Sequence, residues 1–423
     1  MQKGLAKRRR NPQGGVVKRF FRHPTHELGE RELIVLMALL MSLQAFGIDS
    51  MLPALGSISD EFGAGGNQRQ FVIGAYFLGA GIGAFFPGSF ADRFGRRPVL
   101  ALGLIVYIVF SAACAVATSF EWLIGLRLVQ GLFCAGLSVV PAAIVRDRVG
   151  GDRMARLMSL IMMIFLAVPL VAPTIGQVIL NFFGWRTIFG SMAIMGVAVG
   201  LWVWLRLPES LDPENQQDVE PRTILRNMRT ALVRRDSIGY VIGSALVFGS
   251  LFGFLNSSQQ LIGEHFHAGQ GFALIFGAAV LGMVISNFTN SRIVEKFGAR
   301  RVSHSALMVF IFASILQFIS SGRADQQLWE FVPILALSMA TLGFIGANFS
   351  SIAMQPFQHI AGAASSAQTS LRMISGSVLG SAIGFAYDGT ARPLAIAMLS
   401  CGLLALAAIL FSEKGRLFRR VSR

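Results

Sequence analysis

Apolar runs of about 20 residues recur twelve times along this 423-residue chain, near 33–54, 70–90, 98–118, 121–144, 156–180 and 187–206, then near 238–262, 271–293, 302–320, 330–354, 363–386 and 392–411. A run of that length crosses the hydrocarbon core of a bilayer as one helix, with every backbone polar group paired inside it. One soluble core would not bury this much apolar surface, because 53% of the residues are hydrophobic, 14% are charged and the mean hydropathy is +0.60. The runs fall six and six about a polar break, Leu207 to Ser237, that carries Pro208, Pro213 and Pro221. The expected fold class is therefore an all-α membrane protein of twelve transmembrane helices in two six-helix bundles. Its expected divisions are a basic arm (1–32), a first bundle (33–206), a linker (207–237), a second bundle (238–411) and a basic tail (412–423).

The halves share more than helix number. Gly88-Ser-Phe-Ala-Asp92-Arg93-Phe-Gly95-Arg96-Arg97 sits between the second and third runs, and Val-Glu295-Lys296-Phe-Gly298-Ala-Arg300 echoes it in the second half. A charged turn repeated once per half is the mark of a duplicated membrane transporter. Asp92 can accept from helix N-terminal amides or from a guanidinium, and Gly95 permits a tight turn between helices, so the loop reads as a conformational latch. In the echo Glu295 stands for Asp92, Lys296 for Arg93 and Ala299 for Arg96, which predicts a weaker second latch.

A formal net charge of +15 raises the question of nucleic acid, and the distribution of the charge answers it. With the N-terminus on the cytoplasmic side, that side collects 31 of the 37 basic residues and the opposite side only 4. This is the positive-inside pattern, which puts both termini in the cytoplasm and excludes nucleic acid as the partner. The first run is longer than a signal-peptide core and lacks a suitably placed cleavage site, so it is expected to be retained. Cys114, Cys134 and Cys401 all lie in apolar runs, which fits neither a disulfide framework nor a metal site. No nucleophile, base and electrophile set can be assembled, so the chain is not expected to be an enzyme or to hold a cofactor. Within the linker, Ile224, Leu225, Met228, Ala231 and Leu232 recur at helical spacing and predict an amphipathic helix on the inner leaflet.

Ionisable groups inside the runs are the functional candidates, because each costs about 2.5–3.5 kcal/mol to insert. Asp49 is the one acid well inside a run, roughly 6–10 Å below its outer end at 1.5 Å per residue, and Arg127 enters from the outside to a similar depth. Loss of water and a nearby guanidinium act oppositely on a carboxylate, a balance that suits a reversible proton site. Arg127, Gln130 and Cys134 share one face of the fourth run, while Gly131 and Gly136 allow close helix approach. Pro169, Pro173 and Gly176 predict a bend in the fifth run.

The whole stretch from about Leu33 to Phe411 resembles the major facilitator superfamily, in its drug/proton antiporter group of the bicyclomycin-resistance type. Gly88-x-x-x-Asp92-Arg93-x-Gly95-Arg96-Arg97 fits the superfamily's inner-loop motif, and Arg127-x-x-Gln130-Gly131 fits the fourth-helix motif associated with proton transfer. Asp49-Ser-Met-Leu-Pro53-Ala-Leu, Arg146-Asp147, Met354-Gln-Pro356-Phe357 and Ala361-Gly-Ala-Ala-Ser365 resemble signatures of the subgroup. Two departures stand out. The antiporter motif of the fifth helix survives only as Pro173 and Gly176, and Met41 and Ser42 replace the second acid that some relatives carry in the first helix, which disfavours dicationic substrates.

The resemblance implies helices one, four, seven and ten lining a cavity that opens alternately to each side. Phe46, Asp49, Arg127, Gln130, Asn256, Gln259 and Asn348 lie on those helices and are expected around the substrate; Arg372 in helix eleven would attract an anionic or zwitterionic substrate or pair with a lipid phosphate. The expected function is proton-coupled efflux of small amphipathic drugs or antibiotics by a monomer in a bacterial inner membrane, with protons, a small-molecule substrate and lipids as partners. The alternatives are a narrow-specificity metabolite transporter and a sensor or scaffold that no longer transports.

Overall fold

The computed structural model describes residues 28–418 apart from 66, 150, 213–225, 227, 228, 231 and 324. The arm before Leu28, the last five residues of the tail and positions 221–225, 227, 228 and 231 of the linker helix expected over 221–237 lie outside the described residues; Arg226, Arg229, Thr230, Leu232, Val233 and Arg235 to Ser237 within it are helical. Among the described residues the chain forms twelve helical rods. The first is α1 (Glu30–Asp49) continued by α2 (Leu55–Phe62), and the second is α3 (Phe71–Gly83) bent by 47° into α4 (Pro87–Phe94). Then come α5 (Arg96–Ala115), α6 (Phe120–Arg148), α7 (Gly151–Phe183) and α8 (Trp185–Arg206). The second half holds α9 (Arg235–Gln259), α10 (Phe272–Phe297), α11 (Ala299–Ser320), α12 (Leu328–Met354), α13 (Ala361–Phe385) and α14 (Arg392–Ser412). Ten rods are long and apolar enough to cross a membrane, and the bent pair makes an eleventh. The remaining rod, α13, is diluted by Ser365, Ser366, Gln368, Thr369, Ser370 and Arg372 and spends its faces against other helices.

The first rod differs from the straight 33–54 run expected of it. Pro53 has no N–H to give the carbonyl four residues earlier, so regular hydrogen bonding stops at Asp49, passes through a 3₁₀ turn (Leu52–Ala54) and resumes in α2 as far as Phe62. Asp49 thus sits at a break within the rod and not near its end. Helix α7, where Pro169, Pro173 and Gly176 predict a bend, stays helical from Gly151 to Phe183 through both prolines.

Small residues set the closest approaches. A Cβ on Gly131 would lie 2.1 Å from the Tyr76 carbonyl and one on Gly79 2.0 Å from the Leu128 carbonyl, so α3 and α6 meet backbone to backbone. The halves meet along α3 against α13 and α7 against α10. Leu28, Phe418 and the 83–97 turn mark one end of the bundle, the terminal face; the opposite end is the distal face.

Hydrogen bonds between the halves gather at the distal face. Arg69 donates to Glu264 at 2.6 and 3.0 Å and to Gln259 at 2.7 Å, Gln70 donates to Gln260 at 2.5 Å, and Asn67 donates to the carbonyls of Phe385 and Tyr387 at 2.7 and 2.9 Å. At mid-depth Ser377 donates to the Gly74 carbonyl at 2.7 Å and Phe77 packs on Phe252 at 4.1 Å. This is a distally closed form. Glu264 is about half exposed, so the Arg69 pair contributes about 1 kcal/mol, and Arg69→Ala is expected to raise the distally open population roughly fivefold. Spin labels at positions 60 and 388, read by pulsed electron resonance, would show a longer distance gaining weight; an unchanged distribution would show that the pair holds nothing shut.

Candidate functional site

Two neighbouring rods, α7 and α9, pack against the break in the first. Gly176 of α7 approaches so closely that a Cβ there would lie 2.0 Å from the Ser50 carbonyl, while Ser50 turns its own hydroxyl back to the Phe46 carbonyl at 2.6 Å. The one glycine left from the expected fifth-helix motif is therefore the one that touches the residue beside Asp49. Asp49 is 6% exposed and, among the described residues, makes no hydrogen bond and no ion pair.

Arg127 is fully buried and does not pair with Asp49. Its guanidinium donates to the Gly47 carbonyl at 2.9 Å, the Val72 carbonyl at 3.2 Å and Gln130 at 2.8 Å, and lies 4.3 Å from the centre of the Tyr76 ring. Gln130 passes the chain on to Ser111 at 2.7 Å, and the Tyr76 hydroxyl donates to the Cys134 sulfur at 3.0 Å. The guanidinium thus pins α1, α3 and α6 together about half a turn below Asp49, using main-chain oxygens among its acceptors. Sequence reasoning missed Tyr76 and Ser111; a tyrosine in the middle of a membrane run, where its hydroxyl needs a partner, is the signal for the first.

The turn at the terminal face is built around Arg96. Its side chain reaches Asp92 at 2.5 Å and Asp147 at the end of α6 at 2.8 Å, and it is 4% exposed. Asp92 therefore answers a guanidinium, and the helix amides are answered by Glu209, which accepts from the N–H groups of Arg96 and Arg97 at 2.9 and 3.0 Å. Gly95 holds φ +103°, a conformation costly for any side chain, and lies against the Glu209 carboxylate. Arg97 donates to the Trp204 carbonyl at 2.6 Å, Arg93 is exposed beside Phe94, and Gly88 packs near Val139. Glu209 lies beyond α8 in a segment read only as linker, so nothing in the sequence pointed to it. Glu209→Ala is expected to remove a cap worth about 1–2 kcal/mol and to speed hydrogen exchange at the Arg96 and Arg97 amides roughly tenfold; unchanged protection there would show that the carboxylate does not hold the turn.

The echo repeats the backbone and changes the partners. Gly298 holds φ +86°, but Glu295 and Lys296 are exposed, and Arg300 pairs at 2.7 Å with Glu413 beyond α14. Glu413 also accepts from Tyr240 at 2.6 Å; burial raises its proton affinity, and the hydrogen bonds from Tyr240 and Arg300 outweigh that to leave it below the ordinary value of 4.5. In each half a glutamate just past the sixth rod ties the third rod down.

Several residues expected around the substrate are placed elsewhere. Gln130 is enclosed within the first bundle by its bonds to Arg127 and Ser111. Gln259 belongs to the distal closure, where with Pro53, Gly56, Asp60, Arg69 and Glu264 it lines a recess of 310 Å³. Asn348 donates to Asn290 of α10 at 2.7 Å and to the Phe344 carbonyl at 2.8 Å, which spends it between α10 and α12. An amide in a membrane run satisfies itself on the nearest helix, and spacing alone does not say which. Phe46 is 8% exposed, one turn from Asp49, and Asn256 is 1% exposed with neither amide atom partnered among the described residues. Arg372 is half-buried, with its guanidinium 4.7 Å from the centre of the Phe248 ring.

A duplicated bundle of membrane-crossing rods, closed on one face and with its charged turn repeated at the other, defines a membrane transporter. The chain belongs to the Major Facilitator Superfamily, whose family model matches residues 36–381. It is 29% identical over 379 residues to a bicyclomycin resistance protein homolog of Haemophilus influenzae, covering 89% of this chain and 95% of the relative. It is 28% identical over 393 residues to the multidrug resistance protein MdtL of Escherichia coli O81, covering 91% and 96%. Among solved structures, a bacterial homologue of the lysosomal transporter Spinster, inward-facing and occupied, superposes with a TM-score of 0.67 at 16% identity over 90% of this chain and 96% of that one. A D-xylose–proton symporter gives 0.66 at 16% identity over 91% and 98%. At such identities these two likenesses speak for the fold alone.

Proposed function

We propose that this transporter expels small amphipathic drugs or antibiotics from the bacterial cytoplasm in exchange for protons, acting as a monomer with both termini inside and with no cofactor beyond the proton gradient. The observation that carries the proposal is Asp49. It is a carboxylate buried at the break of the first rod, against α7, with no arginine and no donor of its own among the described residues. With the positive-inside orientation the closed distal face is the outer one, and export then requires that substrate enter from the cytoplasmic side. Reorientation exposes Asp49 to the outside, where it takes up a proton as the substrate leaves; loss of that proton inside resets the cycle. A 100 mV potential supplies about 2.3 kcal/mol per charge and one pH unit about 1.4 kcal/mol, together enough for a several-hundred-fold gradient.

The resistance proteins among its relatives support a drug as the cargo. A pH-sensitive dye sealed into proteoliposomes, challenged with neutral, zwitterionic and cationic antibiotics, tests the reading. Substrate-triggered proton movement is the expected result. Silence toward the whole panel from correctly folded protein would instead favour the narrow metabolite carrier on the same fold.

A further inference from the structure

We propose that Arg372, Phe248, Gln368 and Ser244 form a recognition subsite for the acidic group of an amphipathic substrate, a carboxylate or sulfonate on an apolar or aromatic body. The proposal rests on the export reading above and names the substrate chemistry.

Arg372 is the twelfth of the 25 residues of α13, in the middle of a rod, where a guanidinium is costly to keep. Arg127 meets that cost with three acceptors, whereas Arg372 makes no hydrogen bond and no ion pair among the described residues and rests only on the Phe248 ring. It is also partly exposed, as Arg127 is not. Gln368, one turn earlier on α13, is 7% exposed, and its Nε2 donor has no partner among the described residues; Ser244, one turn before Phe248 on α9, is fully buried, and its hydroxyl has none among them either. Rods α9 and α13 run side by side in one register. Gly249 faces Leu379, Gly253 faces Ile383, and Val241 and Gln368 border the same small recess. That register sets Ser244 within a turn of Arg372 and Gln368 about a turn nearer the terminal face, while the Phe248 ring reaches back to the guanidinium. A cation and two unspent donors therefore fall within about two turns of one another along the paired rods.

The cluster borders α12 and lies beside a contact between the halves. Phe248 reaches α12, where a Cβ on Gly346 would lie 2.8 Å from its ring, and Met373, next to Arg372, meets Gln44 of α1 across the halves at 4.0 Å. The lipid face of α13 is marked instead by Val378 and Phe385, each 60% exposed. Because Gln44 precedes Asp49 by five residues, the cluster lies about 7.5 Å nearer the terminal face than the proton site, so an acidic group held there keeps clear of the carboxylate. A guanidinium presents paired donors to a carboxylate, and Phe248 supplies a flat apolar wall for the body behind it.

The test titrates purified protein with dansylglycine and with its neutral amide, by fluorescence, in wild type, Arg372→Gln and Arg372→Lys. Wild type is expected to bind the carboxylate at least roughly tenfold more tightly, which is about 1.4 kcal/mol. The preference should fall to within about twofold in Arg372→Gln and persist in part in Arg372→Lys, with binding of the amide unchanged. Equal binding of the two probes by wild type, or an undiminished preference in Arg372→Gln, would overturn the proposal. Titrations repeated with phosphatidylglycerol added separate the other source of an anion: erasure of the preference would assign the arginine to a lipid headgroup and overturn the substrate site, and its persistence supports that site. Proton-driven efflux of a neutral antibiotic by wild type is followed in parallel. Efflux with equal probe binding defeats the subsite alone, whereas its absence removes the transport reading beneath it.

Discussion

Asp49→Asn is expected to abolish uphill, proton-driven efflux while leaving the fold and downhill exchange of substrate in place. The amide matches the carboxyl in shape but carries no exchangeable charge, and in the described structure Asp49 anchors nothing: no arginine and no backbone amide depends on it. Removing its charge therefore frees no partner that must then be buried alone. What disappears is coupling, and with it the several-hundred-fold gradient that the proton can sustain. Counterflow of labelled substrate in proteoliposomes without a gradient should continue, and accumulation under an imposed pH difference should stop. Accumulation at the wild-type level by Asp49→Asn would remove the residue from the mechanism.

Arg127→Leu is expected to fail differently, losing stability and transport together. The guanidinium satisfies the carbonyls of Gly47 and Val72 and the Gln130 side chain at once, across three rods. Leucine leaves the Gln130 oxygen and the Gly47 carbonyl beside the break without that donor, at about 1–3 kcal/mol each, and takes a second bond from the Val72 carbonyl, so a loss on the order of 3 kcal/mol is expected even after the helices relax. Arg127→Lys should recover little, because a single ammonium on a shorter head does not reach three acceptors arranged around a planar fork. Thermal unfolding in detergent, with substrate binding measured on the surviving folded fraction, checks this. Wild-type stability in Arg127→Leu would show that the network is ornamental. If stability fell while coupling in the folded fraction stayed intact, the residue would be a structural pin with no part in the proton path.

Much of the architecture is legible in the amino-acid sequence. Twelve runs at membrane length, a break between equal halves and an echoed charged turn are signals of low resolution, and they survive because lipid imposes length and apolarity on every rod. Gly95 and Gly298 are legible for a similar reason: a turn between antiparallel rods needs a positive φ, and glycine supplies it in both halves. What the sequence hides is tertiary. Pro53 is in plain view, yet the break it imposes at Asp49 is not, because the apolar run continues past it and hydropathy does not register a missing N–H. Asp49 and Arg127 reach similar depths without pairing, since main-chain carbonyls on α1 and α3 are nearer acceptors for the guanidinium. Glu209 and Glu413 act on rods more than a hundred residues away, beyond the reach of any local pattern. Conversely Gln259 and Asn348, singled out because they sit on the expected lining helices, are held by Arg69 and Asn290, partners that spacing does not reveal.

The central claim is that substrate and proton exclude one another at Asp49. Proton release on drug binding tests it most directly: a transported antibiotic is added to purified protein in weakly buffered detergent solution, and a pH indicator counts the protons set free in wild type and in Asp49→Asn. The account predicts release from wild type that saturates with drug occupancy and vanishes in the variant. Saturable binding that sets no proton free from wild type, across the range of pH over which transport runs, would contradict it.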